Sequence, residues 1–298
     1  MNDAIQNENI DLPLLHRGKV RDVYDLGQQL LIVASDRISA FDHVLPTAIP
    51  EKGKILHALS MFWFDMFQGG VPNHLISGDF EQFPTILKKY EYLRGRSMLV
   101  KKAQRIDIEC IVRGYLAGSG WKEYQRSRTV CGIALQEGLV ESSKLPEPIF
   151  TPSSKEEGGK HDENISFEET VKRIGAEQAE KIKELSLLIY TRASRYAESR
   201  EVIIADTKFE FGVFDGGIIL IDEIMTPDSS RFWEESKYAE GRSQDSLDKQ
   251  FVRDYLESIK WDKQPPVPLL PAEVVKCTRA KYIDAYEKIT GKLWKNNK

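Results

Sequence analysis

Residues 206–233 read DTKFEFGVFDGGIILIDEIMTPDSSRFW, and no other stretch restricts the fold of this 298-residue chain as tightly. Two apolar, alternating runs flank Asp215-Gly216-Gly217, the signature of a β-hairpin. Glu210 lies on the first run, and Asp222 and Glu223 close the second, among Phe209, Phe211, Ile219 and Ile221. A three-residue loop puts Glu210 opposite Asp222 on one face of the pair, with Cβ atoms about 5 Å apart. Two carboxylates about 4 Å apart repel by roughly 4 kcal/mol at an effective dielectric near 20. A shared proton, a basic neighbour or a metal must answer that repulsion. Oxygen ligands of this kind suit Mg²⁺. Lys208 falls on the same face and offers a positive charge instead, and a two-residue loop would turn Asp222 to the other face.

Before the hairpin, residues 14–41 predict strand, tight loop, strand, turn near Gly27-Gln28, and strand. KILHALSMFWFDMF (54–67) predicts a largely buried helix stopped by Gly69-Gly70. Residues 96–116 alternate Ile106, Ile108, Cys110 and Val112, an extended pattern. The polar stretch 141–165, with three prolines and Gly158-Gly159, predicts a long loop. Ser166 followed by Glu169 is a capping box, and an apolar stripe from Ile182 to Tyr196 carries a helix to near Arg200. Further helices are expected at 229–239, 246–260 and 272–290. This order fits an α+β chain of two lobes: an antiparallel, β-rich first lobe over 1–100 and an α+β second lobe over 101–298, crossing near 98–104.

Charge and composition exclude several functions. Lys plus Arg number 42 against 46 Asp plus Glu, a net charge of −4, so no global basic field draws in nucleic acid. No apolar run reaches the length of a membrane span, and the first twelve residues lack the basic and apolar regions of a secretory signal. Three scattered cysteines, Cys110, Cys131 and Cys277, in no CxxC pattern, point to reduced thiols in a cytoplasmic protein.

Other pieces carry candidate chemistry. RGKVRD (17–22) puts Arg17, Lys19 and Arg21 on a tight loop that can meet phosphate, though a solvated basic turn reads from the same residues. IECIVRGYLAGSG (108–120) ends a strand in Arg113 and a small-residue turn with Ser119; Arg113 fits phosphate or carboxylate, or a strand-end ion pair. TPSSKEEGGKHDENIS (151–166) mixes hydroxyls with Lys155 and Asp162, as a substrate-ordering lid or a solvated loop would. TPDSSRFW (226–233) is expected to start a helix at Asp228 and Ser229. Arg231 in its first turn would oppose the helix dipole unless it grips an anion. The sum is the parts list of an ATP–Mg²⁺ enzyme with an anionic second substrate.

GKVRDVYDLG, SDRISAFD, IECIVRGYLAGS, FTPSSKEEGGKHDENIS, IADTKFEFG and DEIMTPDSSRFW, in this order, resemble the phosphoribosylaminoimidazole-succinocarboxamide synthase (SAICAR synthetase) family from about residue 14 to about 290. One departure is Asp107, where the family usually has proline. The resemblance implies a two-lobed, ATP-grasp-like fold closing over ATP. It implies ligation of L-aspartate to the carboxylate of 5-amino-1-(5-phosphoribosyl)imidazole-4-carboxylate through an acyl phosphate, as a step of purine biosynthesis. Carried over by position, Lys19 and Arg21 would touch the ATP phosphates, and Lys101, Lys102 and Ala103 would line the adenine. Glu210 and Asp222 would hold Mg²⁺, with Lys208 beside the transferred phosphoryl group. Arg113 and Ser119 would grip the imidazole substrate, Asp228 and Arg231 its ribose phosphate, and Glu109 its amino group. Lys155 and Asp162 would belong to a loop over the substrates. Small molecules are then the partners, with no nucleic acid or membrane, in a monomer or small homo-oligomer. Two readings compete: a small-molecule kinase using a base such as Asp206, and a non-catalytic nucleotide-binding regulator.

Overall fold

The computed structural model describes residues 4–6, 10–155 and 163–295. In chain order the elements begin with β1 (Leu14–Arg17), β2 (Arg21–Asp25), β3 (Gln29–Ala34), β4 (Ser39–Ala40), β5 (His43–Val44), α1 (Lys52–Met66), β6 (Leu75–Ser77) and β7 (Ser97–Lys101). There follow β8 (Gln104–Arg105), β9 (Ile108–Tyr115), α2 (Gly118–Ser127), β10 (Thr129–Val130), β11 (Ile133–Ala134), β12 (Lys144–Phe150), β13 (Ser153–Ser154), α3 (Phe167–Ile174) and α4 (Ala176–Glu198). The chain closes with β14 (Val202–Phe214), β15 (Gly217–Ile221), β16 (Ser230–Glu234), α5 (Gln250–Ser258) and α6 (Ala272–Thr290).

Two antiparallel sheets organise the molecule. The first has the order β1-β2-β3-β7-β6, and the second runs β12-β9-β14-β15 with β8, β13 and β16 added along its strands. Chain passes from one to the other between Lys101 and Gln104. A second tie sits nearby: the His74 amide donates to the Leu220 carbonyl while the Lys101 amide donates to the His74 carbonyl. One apolar core spans both sheets, joining Ile32, Leu56 and Met98 to Val112, Ile204 and Phe209. The fold is therefore α+β, with mixed helices and antiparallel sheets.

The long strand β14 explains most of the arrangement. It is buried along nearly its whole length, and its backbone groups are satisfied on both edges, against β9 and β8 on one side and β16 and β15 on the other. That demand for partners overturns several sequence expectations. Residues 229–239 form the strand β16 and one 3₁₀ turn, because β14 needs an edge partner over Val202–Thr207. Arg231 accordingly sits mid-strand, not in a first helical turn. Residues 141–165 are likewise not plain loop: β12 and β13 pair with β9.

The hairpin register differs too. Phe214 pairs with Gly217, so the loop is the two-residue Asp215-Gly216 with positive φ at both, and Glu210 stands opposite Ile221, not Asp222. Ser166 caps as expected, accepting from the Glu169 amide at 3.1 Å. Its helix, though, breaks at Gly175 (φ 84°) into α3 and α4. The small-residue turn after Arg113 opens α2, with Ser119 in its first turn. The helix expected over 246–260 starts later, at Gln250, where the Gln250 amide donates to Asp248 Oδ1 at 2.6 Å.

Candidate functional site

Strand period two builds the centre of the site. Asp206, Lys208 and Glu210 are successive residues on one face of β14, while Thr207, Phe209 and Phe211 face away. Across the sheet Asp206 pairs with Arg113 of β9 on one side and with Arg231 of β16 on the other. Three residues of three strands thus stand in a row on one face. Arg113 Nη1 donates to Asp206 Oδ2 at 2.8 Å, and Arg231 Nη1 donates to the same oxygen. Arg113 also donates to Thr151 Oγ1 at 3.0 Å and to Ser119 Oγ at 2.9 Å. Burial lowers the pKa of Arg113, Asp206 restores part of it, and Arg231 pushes it down again. Two guanidinium groups share one carboxylate, which leaves a net positive seat for an anion.

Two residues along, Lys208 Nζ bridges Glu109 Oε1 at 3.0 Å and Glu210 Oε1 at 2.8 Å. Lys155 reaches the second oxygen, Glu210 Oε2, at 2.7 Å. Burial alone would raise the Glu210 pKa, but Lys208 and Lys155 outweigh it and hold the carboxyl well below its ordinary range. Burial also opposes the charge on Lys208, and Glu210 and Glu109 more than offset it, so the ammonium stays protonated.

Asp222 reaches this cluster by a kink, not by register. It follows the end of β15 with φ 64°, a left-handed turn that redirects its side chain. Its Oδ2 accepts from Arg21 Nη2 at 2.8 Å, and Arg21 Nη1 meets Glu223 Oε1 at 2.7 Å. Burial pushes the Asp222 pKa up to about 6; Arg21 pulls against that, and Glu210 and Glu223 add to it. Among these acids Asp222 is the one whose charge is least compensated.

The remaining expected residues are placed less uniformly. Lys19 pairs with Asp42 at the mouth of the cleft. Lys102 pairs with Asp25 at 2.7 Å, and Lys101 Nζ turns to the Asn73 carbonyl at 3.2 Å, beside a separate cavity of about 590 Å³. The Ala103 amide donates to the Lys101 carbonyl at 3.1 Å. Asp228 Oδ2 accepts from Lys52 Nζ at 2.5 Å, and its Oδ1 accepts from Tyr282 Oη at 2.7 Å. Asp162 lies outside the described residues.

Two functional neighbours escaped the sequence reading. Lys52, fully buried, neutralises Asp228 from 176 positions away, which no local pattern signals. Asp206 was named only as the base of the kinase reading, not as the acid held between two arginines. A cleft of about 810 Å³ joins Lys19, Glu109, Ser119, Lys208, Asp228 and Arg231. Among the described residues, no helix is long and apolar enough to cross a membrane.

A family model described as SAICAR synthetase matches residues 14–268. A relative from Thermodesulfovibrio yellowstonii, named phosphoribosylaminoimidazole-succinocarboxamide synthase, is 58% identical over 97% of this chain and 100% of its own. One of the same name from Geobacter sulfurreducens is 56% identical over 95% of this chain and 96% of its own. Among solved structures, SAICAR-synthase from Saccharomyces cerevisiae complexed with SAICAR superposes with TM-score 0.90 at 45% identity, over 98% of this chain and all of that one. A SAICAR synthetase in complex with ADP superposes with TM-score 0.70 at 26% identity, over 94% and 99% of the two chains.

Proposed function

The chain belongs to the SAICAR synthetase family and is an ATP-dependent ligase of purine biosynthesis, and we propose that the cleft over the β14 face is where its residues act. The observation that carries this reading is the single-face row Arg113–Asp206–Arg231 beside Lys208, Glu109 and Glu210.

A carboxylate is a poor acyl donor, because oxide would have to leave. Transfer of the γ-phosphoryl group to the carboxylate of the imidazole nucleotide releases ADP and leaves an acyl phosphate. The aspartate amine then attacks the acyl carbon. The C–N bond forms, the C–O bond to phosphate breaks, phosphate leaves with the electron pair, and the amine proton passes to it or to water. Alignment and charge neutralisation are the protein's tasks in both steps.

Arg113, Ser119 and Arg231 hold the ribose phosphate, since two arginines sharing one acid retain spare donors. Lys208 lies beside the transferred phosphoryl group, and Glu109 accepts from the substrate's amino group. Lys19 and Arg21 meet the triphosphate, and the backbone at Lys101, Lys102 and Ala103 lines the adenine. Asp228 enters as a positioning residue, since both its oxygens are already held by Lys52 and Tyr282. Lys155, on Glu210 Oε2 at 2.7 Å, adds positive charge beside the substrates.

The acid pair fits Mg²⁺ on donor chemistry. Glu210 and Asp222 present oxygen alone, and the undercompensated charge of half-buried Asp222 is what a cation would relieve. Among the described residues no cluster of three or more His, Cys, Asp or Glu ligands assembles, so phosphate oxygens and water would complete the shell. When bound, the ion neutralises charge on the phosphates. Glu210 must then exchange an ammonium for it.

The kinase reading required Asp206 as a base, and that carboxylate is held by two arginines. The test supplies ATP, Mg²⁺ and the carboxylated imidazole nucleotide, with and without L-aspartate. Amide and ADP are expected in equal amounts and only with aspartate; a stable phosphorylated product without it would overturn the reading. Asp222→Asn is expected to fold and to lose at least a hundredfold in rate, and near-normal activity would remove the metal assignment.

A further inference from the structure

Residues 18–20 join β1 to β2, and Lys19 among them lines the cleft. The backbone of this loop is held by a side chain from elsewhere, Arg37, in the stretch between β3 and β4. We propose that Arg37 is the positioning residue of the loop, braced by residues 4–6, and that it turns the amides of Lys19 and Val20 toward the phosphates of ADP and ATP. The assignment rests on the reading of the loop as a triphosphate seat given above and names the group that aims it.

The orientation of three peptides carries it first. Arg37 Nη2 donates to the Gly18 carbonyl at 3.2 Å, and Nε donates to the Lys19 carbonyl at 3.2 Å. The next carbonyl, of Val20, accepts from the Ser35 amide at 3.0 Å and from Ser35 Oγ at 2.8 Å. Three successive carbonyls are thus drawn to the inner side of the loop. In a trans peptide the C=O and the N–H that follows it point in opposite directions. The amides of Lys19 and Val20 therefore face outward, and among the described residues no hydrogen bond takes up either one. Successive free amides form a concavity that takes an anion. A flipped peptide would present a carbonyl oxygen to phosphate and repel it, and Arg37 holds both peptides against that flip.

Arg37 does this from within the protein. It is buried, and the rest of its fork is spent on an acid: Nη2 also meets Asp22 Oδ1 at 2.6 Å, and Nη1 meets Asp22 Oδ2 at 3.4 Å. Asp22 is buried as well, so the guanidinium is fixed beneath the loop and acts on a nucleotide through the loop, not by contact.

The brace comes from a segment distant in sequence. The Gln6 carbonyl accepts from Arg37 Nη1. The Ile5 amide donates to Asp36 Oδ2 at 2.8 Å, and the Asp36 amide donates back to the Ile5 carbonyl at 2.7 Å. Asp36 is itself fixed, since its Oδ1 accepts from the Gly53 amide at 2.8 Å and from Arg96 Nη1 at 3.1 Å. Gln6 thereby offers Arg37 an anchored acceptor.

Calorimetric titration of the full-length protein with ADP and with adenosine tests the assignment, because the loop meets only the phosphates. Arg37→Lys keeps a positive charge beside Asp22 but has no fork with which to reach two carbonyls. It is expected to bind ADP about tenfold more weakly than wild type, and adenosine within about twofold. Equal loss of both ligands would mean that Arg37 supports the sheet and not the loop, and unchanged ADP affinity would mean that the loop aims itself; either result overturns the proposal. Ile5→Pro, which deletes the amide that donates to Asp36, is expected to weaken ADP about threefold and to leave adenosine unchanged. Wild-type ADP affinity in Ile5→Pro would overturn the brace and, should Arg37→Lys fail to fold, the whole proposal with it. Failure of the phosphate-seat reading shows differently: the wild type itself would bind ADP no more tightly than adenosine.

Discussion

Arg113 and Arg231 donate to the same oxygen, Oδ2 of Asp206, from the strands on either side of it. A buried acid between two cations is held in place by both, and each cation is aimed by the acid. Removing its charge leaves two guanidinium groups facing each other with the sheet closed around them. Asp206→Asn is therefore expected to lower unfolding free energy by roughly 3–5 kcal/mol, the cost of breaking a buried ion pair from one side. Urea titration at pH 7.5 measures it, and a loss below 1 kcal/mol would mean that the two arginines are aimed by something else.

Arg231 has a second constraint, which comes from backbone. Gly118 opens α2 with φ 56°, and a Cβ built there would lie 2.2 Å from Arg231 Nη2. An alanine must either push the guanidinium aside or abandon the left-handed turn that starts the helix. Gly118→Ala is expected to mimic Arg231→Ala: KM for the imidazole nucleotide rises tenfold or more, while KM for ATP moves less than twofold. Equal rises for both substrates would point to general disorder of the cleft.

How much of this could be read beforehand depended on the range of each interaction. The alternation of β14 put Lys208 and Glu210 on one face before any fold was known, because strand period is local, but it was not followed back to Asp206. Register was not local: one residue fewer in the hairpin loop moved Ile221 opposite Glu210. The kink at Asp222 then returned its acid to the cluster, an outcome no pairing rule contains. The dipole argument applied to Arg231 failed because residues 230–234 are a strand, recruited by the open edge of β14. Lys52 and Asp228 meet only in three dimensions.

Two buried histidines add to the acid sensitivity of the fold. Burial drives the His57 pKa from 6.5 down to about 4, and the His74 pKa from 6.5 down to about 3. A group whose folded pKa is depressed stays neutral in the native state while the unfolded chain takes up a proton. Stability is then complete above pH 6.5 and is lost as pH falls, toward about 4 for His57 and about 3 for His74. Each histidine contributes a slope of about 1.4 kcal/mol per pH unit within its window. His74→Phe removes one of them at the tie between the two sheets, beside Phe64. Its unfolding free energy from urea titrations at pH 7, 6 and 5 should fall less steeply than that of wild type, by up to about that slope. Parallel curves would show that His74 charges freely in the native state.

Lys155 competes with the metal. Its Nζ holds Glu210 Oε2 at 2.7 Å while Lys208 holds Oε1 at 2.8 Å, so no oxygen of Glu210 is open to a cation until one ammonium leaves. Lys208 sits in the row of β14 between Glu109 and Glu210, whereas Lys155 comes from the segment after β13 and is the easier of the two to displace. Lys155→Met frees Glu210 Oε2 and removes the positive charge nearest it. Nucleotide-free protein should then bind Mn²⁺ about tenfold more tightly than wild type, a gain of roughly 1.4 kcal/mol. Mn²⁺ titration followed by electron paramagnetic resonance reads this without turnover. Affinity that is unchanged or weaker would mean that Glu210 and its lysines stay together when the ion arrives, and that Asp222 binds it without Glu210.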